Sequence, residues 1–434
     1  MCSILMTNKP ILDLHKVNRF LKPRGPDATS LLETEGIICV HNLLSITGAV
    51  TTQPIVQDGV LAMHNGEIYN YGSYTSDAHC LIPNYQSQGN LFAQHLDGEF
   101  AILIADFKKQ QVIASVDPFR TKPLWYAIED GTWGFSTYRT PLEQLGFSTV
   151  CKVPANSIWR LDLGSLNFEQ LAPTVVWDLR QHTDHFFHWC TAFEQSIAKR
   201  TKNLREQVFL GLSSGYDSGA IACELERQGV AYRAISVMGK ENMDVLNRRA
   251  RADHQWIEPH QPVRDRAHNW LLTHVESYNY TISSSSSSYN EFDLLLHNDS
   301  GSNGLSMVCE RARSLGARIM LSGQGSDEIF SDYGFGGQKI YPHSNFGGQF
   351  PEDLSSIFPW NSFYGSSMES YLAKEEYVAG SYGIEARYPF LDRQVVQQFL
   401  WLTPRLKNSF YKAPLHHYLT THNYPFAPNQ KIGF

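Results

Sequence analysis

The sequence predicts two domains of different class. A β-rich half made of packed antiparallel sheets is followed by an α/β half built on a parallel sheet. Two patterns carry this prediction. Up to about residue 175, short apolar runs at 36–40, 60–63, 100–105 and 111–116 are separated by the turn dipeptides Asp58-Gly59, Asp97-Gly98 and Asp130-Gly131. From residue 207 on, apolar runs at 207–211, 234–237 and 317–321 alternate with helical stretches at 220–228 and 305–313, which end near Gly229 and Gly316. Residues 173–178 read as the crossover, giving domains of 1–175 and 184–434. Asp184 is expected to cap a helix whose apolar face is Phe186, Cys190, Phe193 and Ile197.

Bulk properties narrow the class. The chain has 434 residues, room for two or three domains of about 100–200 residues each. A net charge of −7 offers nothing to nucleic acid or to an anionic membrane. No apolar run approaches the roughly 20 residues of a spanning helix. The first residues lack a basic segment followed by an apolar one, so no secretory signal is expected. Seven cysteines with no Cys-x-x-Cys pair argue against a disulfide framework or a Cys-rich zinc site. A reducing, cytoplasmic setting is expected.

The segment Leu212, Ser213, Ser214, Gly215, Tyr216, Asp217, Ser218 lies between a strand and a helix. Such a loop presents backbone N–H groups and the positive end of a helix dipole, which suits a phosphate. Asp217 repels phosphate unless a cation lies between them, which points to Mg²⁺. Ser322, Gly323, Gln324, Gly325, Ser326, Asp327 and Glu328 repeat that chemistry after another strand. In an open α/β sheet such loops meet at the carboxyl edge, where ligands bind.

The first loop resembles the Ser-Gly-Gly-x-Asp-Ser pyrophosphate loop of N-type ATP pyrophosphatases, with Ser214 in place of the first glycine. The second resembles the Ser-Gly-Glu-Gly-x-Asp-Glu segment of asparagine synthetases. Residues 383–392 match that family's Gly-x-Glu-x-Arg-x-Pro-Phe-Leu-Asp, and residues 431–434 its Lys-x-Gly-Phe. The resemblance implies a C-terminal fold like the adenine nucleotide α-hydrolases, with ATP and Mg²⁺ as cofactors. It implies ATP contacts from Leu212, Ser213, Ser214, Gly215, Asp217, Ser218, Val237, Ser322, Gly323 and Lys412. Asp217 and Asp327 would be the metal carboxylates. Lys431, with Lys412, would neutralise pyrophosphate, and Glu385 and Arg387 would brace the fold or face substrate. Gln324 stands where the family has Glu, and Gln cannot take a proton at neutral pH. The acceptor acid or the nucleophile can therefore differ from aspartate and ammonia.

The N-terminal half resembles a class II glutamine amidotransferase domain, an Ntn hydrolase with an αββα sandwich. Arg24, Gly25, Pro26, Asp27 and the run Asn65, Gly66, Glu67, Ile68, Tyr69, Asn70 carry the match. Removal of Met1 would leave Cys2 with a free α-amine, which can act as the base for its own thiol. By the resemblance, Asn65 and Gly66 form the oxyanion hole, and Glu67 and Asp77 hold the glutamine α-ammonium. Leu43 stands where the family places the Arg that grips the α-carboxylate, a loss of roughly 2–5 kcal/mol. Arg24 or another cation compensates, or the glutaminase is weak, takes another amide, or has lost its task.

Two further features lie outside these motifs. His182, His185 and His188 read as solvated surface rather than a metal site. The serine run 283–288 reads as a flexible loop, with a substrate-ordered lid as the alternative. The expected partners are glutamine and a carboxylic acid, aspartate or a specialised one, and a homodimer is left open. A relative that attacks with an amine, as β-lactam synthetases and lasso-peptide cyclases do, is the alternative reading.

Overall fold

The N-terminal half is two facing six-stranded antiparallel sheets. The first runs in the order Cys151–Lys152, Trp125–Glu129, Thr132–Ser136, Ser3–Thr7, Ile37–Leu43, Ala28–Thr34. The second runs Phe168–Ala172, Ile158–Asp162, Gln111–Val116, Gly98–Asp106, Val60–Ile68, Ile55–Gln57. Strand alternation sorts the side chains. Ile4 and Met6 point between the sheets with Met63, Leu103 and Val112, whereas Leu5 faces outward onto Val17, Leu21 and Leu142. On the other outer face, the helix Leu81–Gln88 lays Leu81, Ile82 and Tyr85 on Ala62, Phe100 and Ile102. The layering is therefore αββα.

The hairpin turns at Asp58-Gly59 and Asp130-Gly131 have positive φ at both residues, the conformation a tight hairpin needs. Asp97-Gly98 is not a turn. Gly98 opens the strand Gly98–Asp106, and it is glycine because a Cβ there would lie 2.3 Å from the Glu67 carbonyl oxygen on the paired strand.

The computed structural model describes residues 2–282 and 294–428. The serine run 283–288 and Lys431 lie outside the described residues. The C-terminal half is a five-stranded parallel sheet in the order Gln255–Ile257, Tyr232–Val237, Gln207–Gly211, Ala317–Leu321, Glu385–Arg387. The chain leaves Gln207–Gly211 toward one edge and returns through Ala317–Leu321 toward the other. The order reverses between these two central strands, and both candidate loops follow them directly. This is the switch point at which open α/β sheets bind ligands.

Two helix starts differ from expectation. Asp184 caps nothing in the helix Phe187–Arg200, whose N-cap is Phe186 with no side-chain bond. The N–H groups of His182 and Thr183 donate to Trp401 O, which keeps that segment extended. The helix expected from Leu305 begins earlier, as Ser300–Ser314, because the Asp299 carboxylate accepts the Gly301 and Ser302 N–H groups and turns a Ser/Gly stretch into a first turn. His182, His185 and His188 are exposed, and among the described residues no group of three or more His, Cys, Asp or Glu is placed to hold a metal. No helix among them is long and apolar enough to cross a membrane.

Buried ion pairs join the halves. Arg24 pairs with Glu376, Lys122 Nζ reaches Glu376 at 2.8 Å, and Arg200 Nε reaches Glu99 at 2.8 Å. Glu276 accepts the Arg139 and Thr140 N–H groups at 3.0 and 2.7 Å. Glu376 and Glu99 are buried together with their basic partners, so removing one member leaves a desolvated charge.

Candidate active sites

The first loop is held from behind by Arg249, whose Nη1 donates to the carbonyls of Ser213 (2.6 Å) and Gly215 (2.8 Å). Burial lowers its pKa to about 10. Ser218 Oγ accepts the Ser213 N–H at 3.0 Å, closing the turn at the start of the helix Tyr216–Arg227. The Ser214 N–H donates to the Glu241 carboxylate at 2.7 Å, and the Ser214 hydroxyl donates to the same oxygen. An anionic group thus already sits on the Ser214 N–H, while the Ser213 and Gly215 N–H groups are taken by Ser218 Oγ and Ser213 Oγ.

The second loop touches the first. A Cβ on Gly323 would lie 2.7 Å from Asp217 Cβ, and Ser326 Oγ donates to Asp217 Oδ1 at 2.7 Å. Gly325 has φ +92°, and a Cβ there would meet Leu391 at 2.2 Å, so the turn demands glycine. The two aspartates converge on one cation. Lys412 Nζ lies 2.7 and 2.8 Å from the Asp217 oxygens and 2.8 Å from Asp327 Oδ1, with its side chain 1% exposed. Two carboxylates that close on a single positive charge, with the cavity on the other side, also fit a divalent ion that keeps positions for phosphate and water.

A cavity of about 340 Å³ opens over these loops. Ser213, Asp217, Ser218, Ser322, Gly323, Gln324 and Asp327 line it, so the structure brings seven of the expected residues to one wall. Leu212, Ser214, Gly215, Val237 and Lys412 are not in that wall. Leu212 is buried with its N–H on Ile235 O, and Val237 ends its strand half-buried. Gln324 Nε2 donates to Glu328 Oε1 at 3.1 Å. Glu328 also accepts the Tyr333 hydroxyl and the Gly325 N–H, and burial raises it to about 7. Lys374 and Glu375 line the same cavity, and sequence reasoning missed both, because they sit mid-helix in Ser367–Ser381 with no local motif.

The structure also brings Cys2, Gly66, Glu67 and Asp77 to one cavity, a tighter one. The Cys2 N–H donates to Asn65 Oδ1 at 3.0 Å. Asn65 Nδ2 is buried without a partner among the described residues. Gly66 has φ +129°, and a Cβ would lie 1.8 Å from Glu99 O. Cys2, Leu43, Gly66, Glu67 and Asp77 line a cavity of about 30 Å³, room for roughly two waters. Its carboxylates are engaged. Arg387 Nη2 reaches Glu67 Oε1 at 2.9 Å, and His64 Nε2 reaches Asp77 Oδ2 at 3.1 Å. Burial raises Glu67 to about 7 against the pull of Arg387. Burial would also raise Asp77, but His64 and the Ile68 and Ala78 N–H groups outweigh it and hold the carboxyl low. Burial pushes the Cys2 thiol up to about 11.

Arg24 does not compensate for Leu43. Its Nε donates to Cys2 O at 3.0 Å, Nη1 to Tyr138 Oη at 2.9 Å and to Glu376 O at 2.7 Å, and Nη2 to the Glu376 carboxylate. Fully buried and satisfied, it positions the Cys2 backbone and cannot turn toward a substrate. Glu385 and Arg387 join as a brace at 2.7 Å, and Arg387 also pairs with Glu67 of the Cys2 cavity.

Comparison with known proteins agrees with both halves. Residues 1–155 match the glutamine amidotransferase domain model and residues 188–357 the asparagine synthase model. A glutamine-hydrolysing asparagine synthetase of Arabidopsis thaliana is 24% identical over 439 residues, covering 90% of this chain and 68% of its own. One from Sandersonia aurantiaca is 24% identical over 443 residues, covering 90% and 75%. A putative one from Methanocaldococcus jannaschii is 24% identical over 440 residues, covering 89% and 76%. With an antiparallel αββα sandwich around Cys2 joined to a parallel sheet that carries two acid-bearing loops, the chain belongs to the asparagine synthetase family.

Proposed function

We propose that this chain is an ATP-dependent, amide-forming ligase. The C-terminal half activates a carboxylate as its acyl-adenylate with loss of pyrophosphate, and ammonia freed from glutamine at Cys2 then displaces AMP. The observation that carries the reading is the convergence of Asp217 and Asp327, from loops after the two central strands, on a single cation position. Mg²⁺ held by these two carboxylates would neutralise charge on the departing pyrophosphate. The first loop and the start of its helix orient the phosphates, and Lys412 stands beside both aspartates to offset their charge when the metal is displaced. On the other side, Cys2 attacks the carboxamide and Asn65 Nδ2 receives the oxyanion.

The test is ATP–pyrophosphate exchange across a panel of carboxylic acids, aspartate first. Exchange that depends on one acid, with AMP and pyrophosphate as products, is expected. ADP and orthophosphate as products would overturn the reading.

A second reading keeps the adenylation and replaces ammonia with an amine. It is favoured by the 30 Å³ Cys2 cavity, whose two carboxylates are already paired and whose wall carries Leu43. Amide formation that ignores both glutamine and ammonium but responds to an added amine would select it.

A further inference from the structure

The second loop carries Gln324 where the resemblance leads one to expect Glu, and Gln cannot take up a proton at neutral pH. Five carboxylates line the loop cavity: Asp217, Asp299, Asp327, Glu328 and Glu375. Four are occupied. Asp217 bonds Ser326 and Lys412, and Asp327 bonds Tyr411 and Lys412. Asp299 caps its helix and accepts the Tyr280 hydroxyl. Glu328 accepts from Tyr333, Gln324 and Gly325.

Glu375 is different. Its Oε1 accepts the Ser322 hydroxyl at 2.8 Å, and its Oε2 is buried with no partner among the described residues. The Ser322 hydroxyl also accepts the Gln324 N–H at 3.0 Å, so Glu375 stands one hydroxyl away from the residue that replaces the family's Glu. An unpartnered buried carboxylate oxygen costs stability unless a ligand uses it.

We propose that Glu375 is the general base of the amide-forming step, supplying from the helix Ser367–Ser381 the proton acceptor that Gln324 cannot be. The inference rests on the adenylation reading and holds for ammonia or an amine. The nitrogen attacks the acyl carbon, the C–N bond forms, and the bond from that carbon to the AMP oxygen breaks. AMP leaves with the electron pair, and the proton shed by nitrogen passes to Glu375 Oε2.

The setting suits the task. Burial raises the carboxyl to about 7, with Ser322 and Lys374 opposing and Glu376 and Glu328 adding to it. Cys309 of the helix Ser300–Ser314 and Tyr388 also face it and stay neutral, since burial raises both. A base whose pKa lies near the working pH is effective at proton transfer.

The experiment uses the full chain, ATP and the acid that best supports exchange, with ammonium chloride and hydroxylamine as nucleophiles. In Glu375→Gln, exchange should stay within about threefold of wild type. Amide formation from ammonium should fall about 10²–10⁴-fold. The wild-type rise in that rate through pH 7 should flatten. Hydroxylamine, already unprotonated at neutral pH, should recover most of the rate. Glu375→Asp should retain a partial, pH-dependent rate. Glu375→Gln with an unchanged amide rate and pH profile would overturn the proposal. So would exchange and amide formation falling together in both variants, which marks a structural role. Absence of exchange in the wild type with every acid would instead sink the adenylation reading, and this proposal with it.

Discussion

The Cys2 pocket and the loop cavity are made from the same materials, buried carboxylates set against basic side chains, and they stand in opposite states. Around Cys2 each carboxylate has a basic partner, Glu67 with Arg387 and Asp77 with His64, and about 30 Å³ remains. Over the loops two aspartates share one ammonium, and about 340 Å³ remains. The difference follows from where each site is built. The loop cavity sits at the carboxyl edge of one sheet, between loops that follow its two central strands. The Cys2 pocket is lined by the first half, and Arg387, which pairs with its Glu67, comes from the other half. Through its carbonyl, Arg387 also accepts the Ser322 N–H of the second loop at 2.9 Å. One residue thus touches both sites.

If the loop cavity is the working site, its aspartates should carry the largest effect. Asp217→Asn or Asp327→Asn keeps the shape and removes one charge, and each should cut acid-dependent exchange about 10³-fold, the scale of several kcal/mol of metal-borne charge stabilisation. Any glutamate release from glutamine should stay within about twofold. A parallel fall in both activities would break the contrast by making the two sites one cooperative unit.

The Cys2 side of the contrast has its own readout. Burial lifts the thiol from 9.0 to about 11, so near pH 8 the thiolate fraction drops about 100-fold. Alkylation of Cys2 by iodoacetamide, mapped by mass spectrometry, should run about 100-fold slower than that of free cysteine and keep rising with pH beyond 9. Reaction at the free-thiol rate would mean that the pocket is open and the contrast mistaken.

Much of this could be read in the chain because the chemistry is local. Loops 212–218 and 322–328 announce themselves by small residues and acids after apolar runs, and both land at the switch point. Cys2, Asn65, Glu67 and Asp77 carry motif context and do meet in one wall, except that Asn65 enters through its bond to Cys2. What failed to show was pairing across long separations. Arg24 looked free for a substrate, yet its partner Glu376 lies 352 residues away. His64 and Arg387 as partners of Asp77 and Glu67, and Glu375 as an acid in the loop cavity, occupy ordinary strand and helix positions whose neighbours only the tertiary fold assigns. Asp97-Gly98 misled for the opposite reason. A turn dipeptide was kept for steric room against Glu67 O, not for its φ.

The smallest effect concerns the seam between the halves. Glu276 is buried where the helix Arg139–Gln144 of the first half meets the second, and burial raises its carboxyl from 4.5 to about 7 against the pull of the Thr140 and Arg139 groups. The folded state therefore keeps a proton that the unfolded chain has released between those values. The stabilisation is complete below about 4.5 and is lost as pH rises through 7. Between pH 5 and 7 this amounts to about 2 kcal/mol. Denaturant unfolding of Glu276→Gln should lose that part of the pH slope, with acid-dependent exchange unchanged, because the loop cavity does not lean on this contact. A variant that kept the full slope would assign it to other buried acids such as Asp117, raised by burial to about 6 inside the N-terminal half. The pH response would then belong to one domain's interior rather than to the seam.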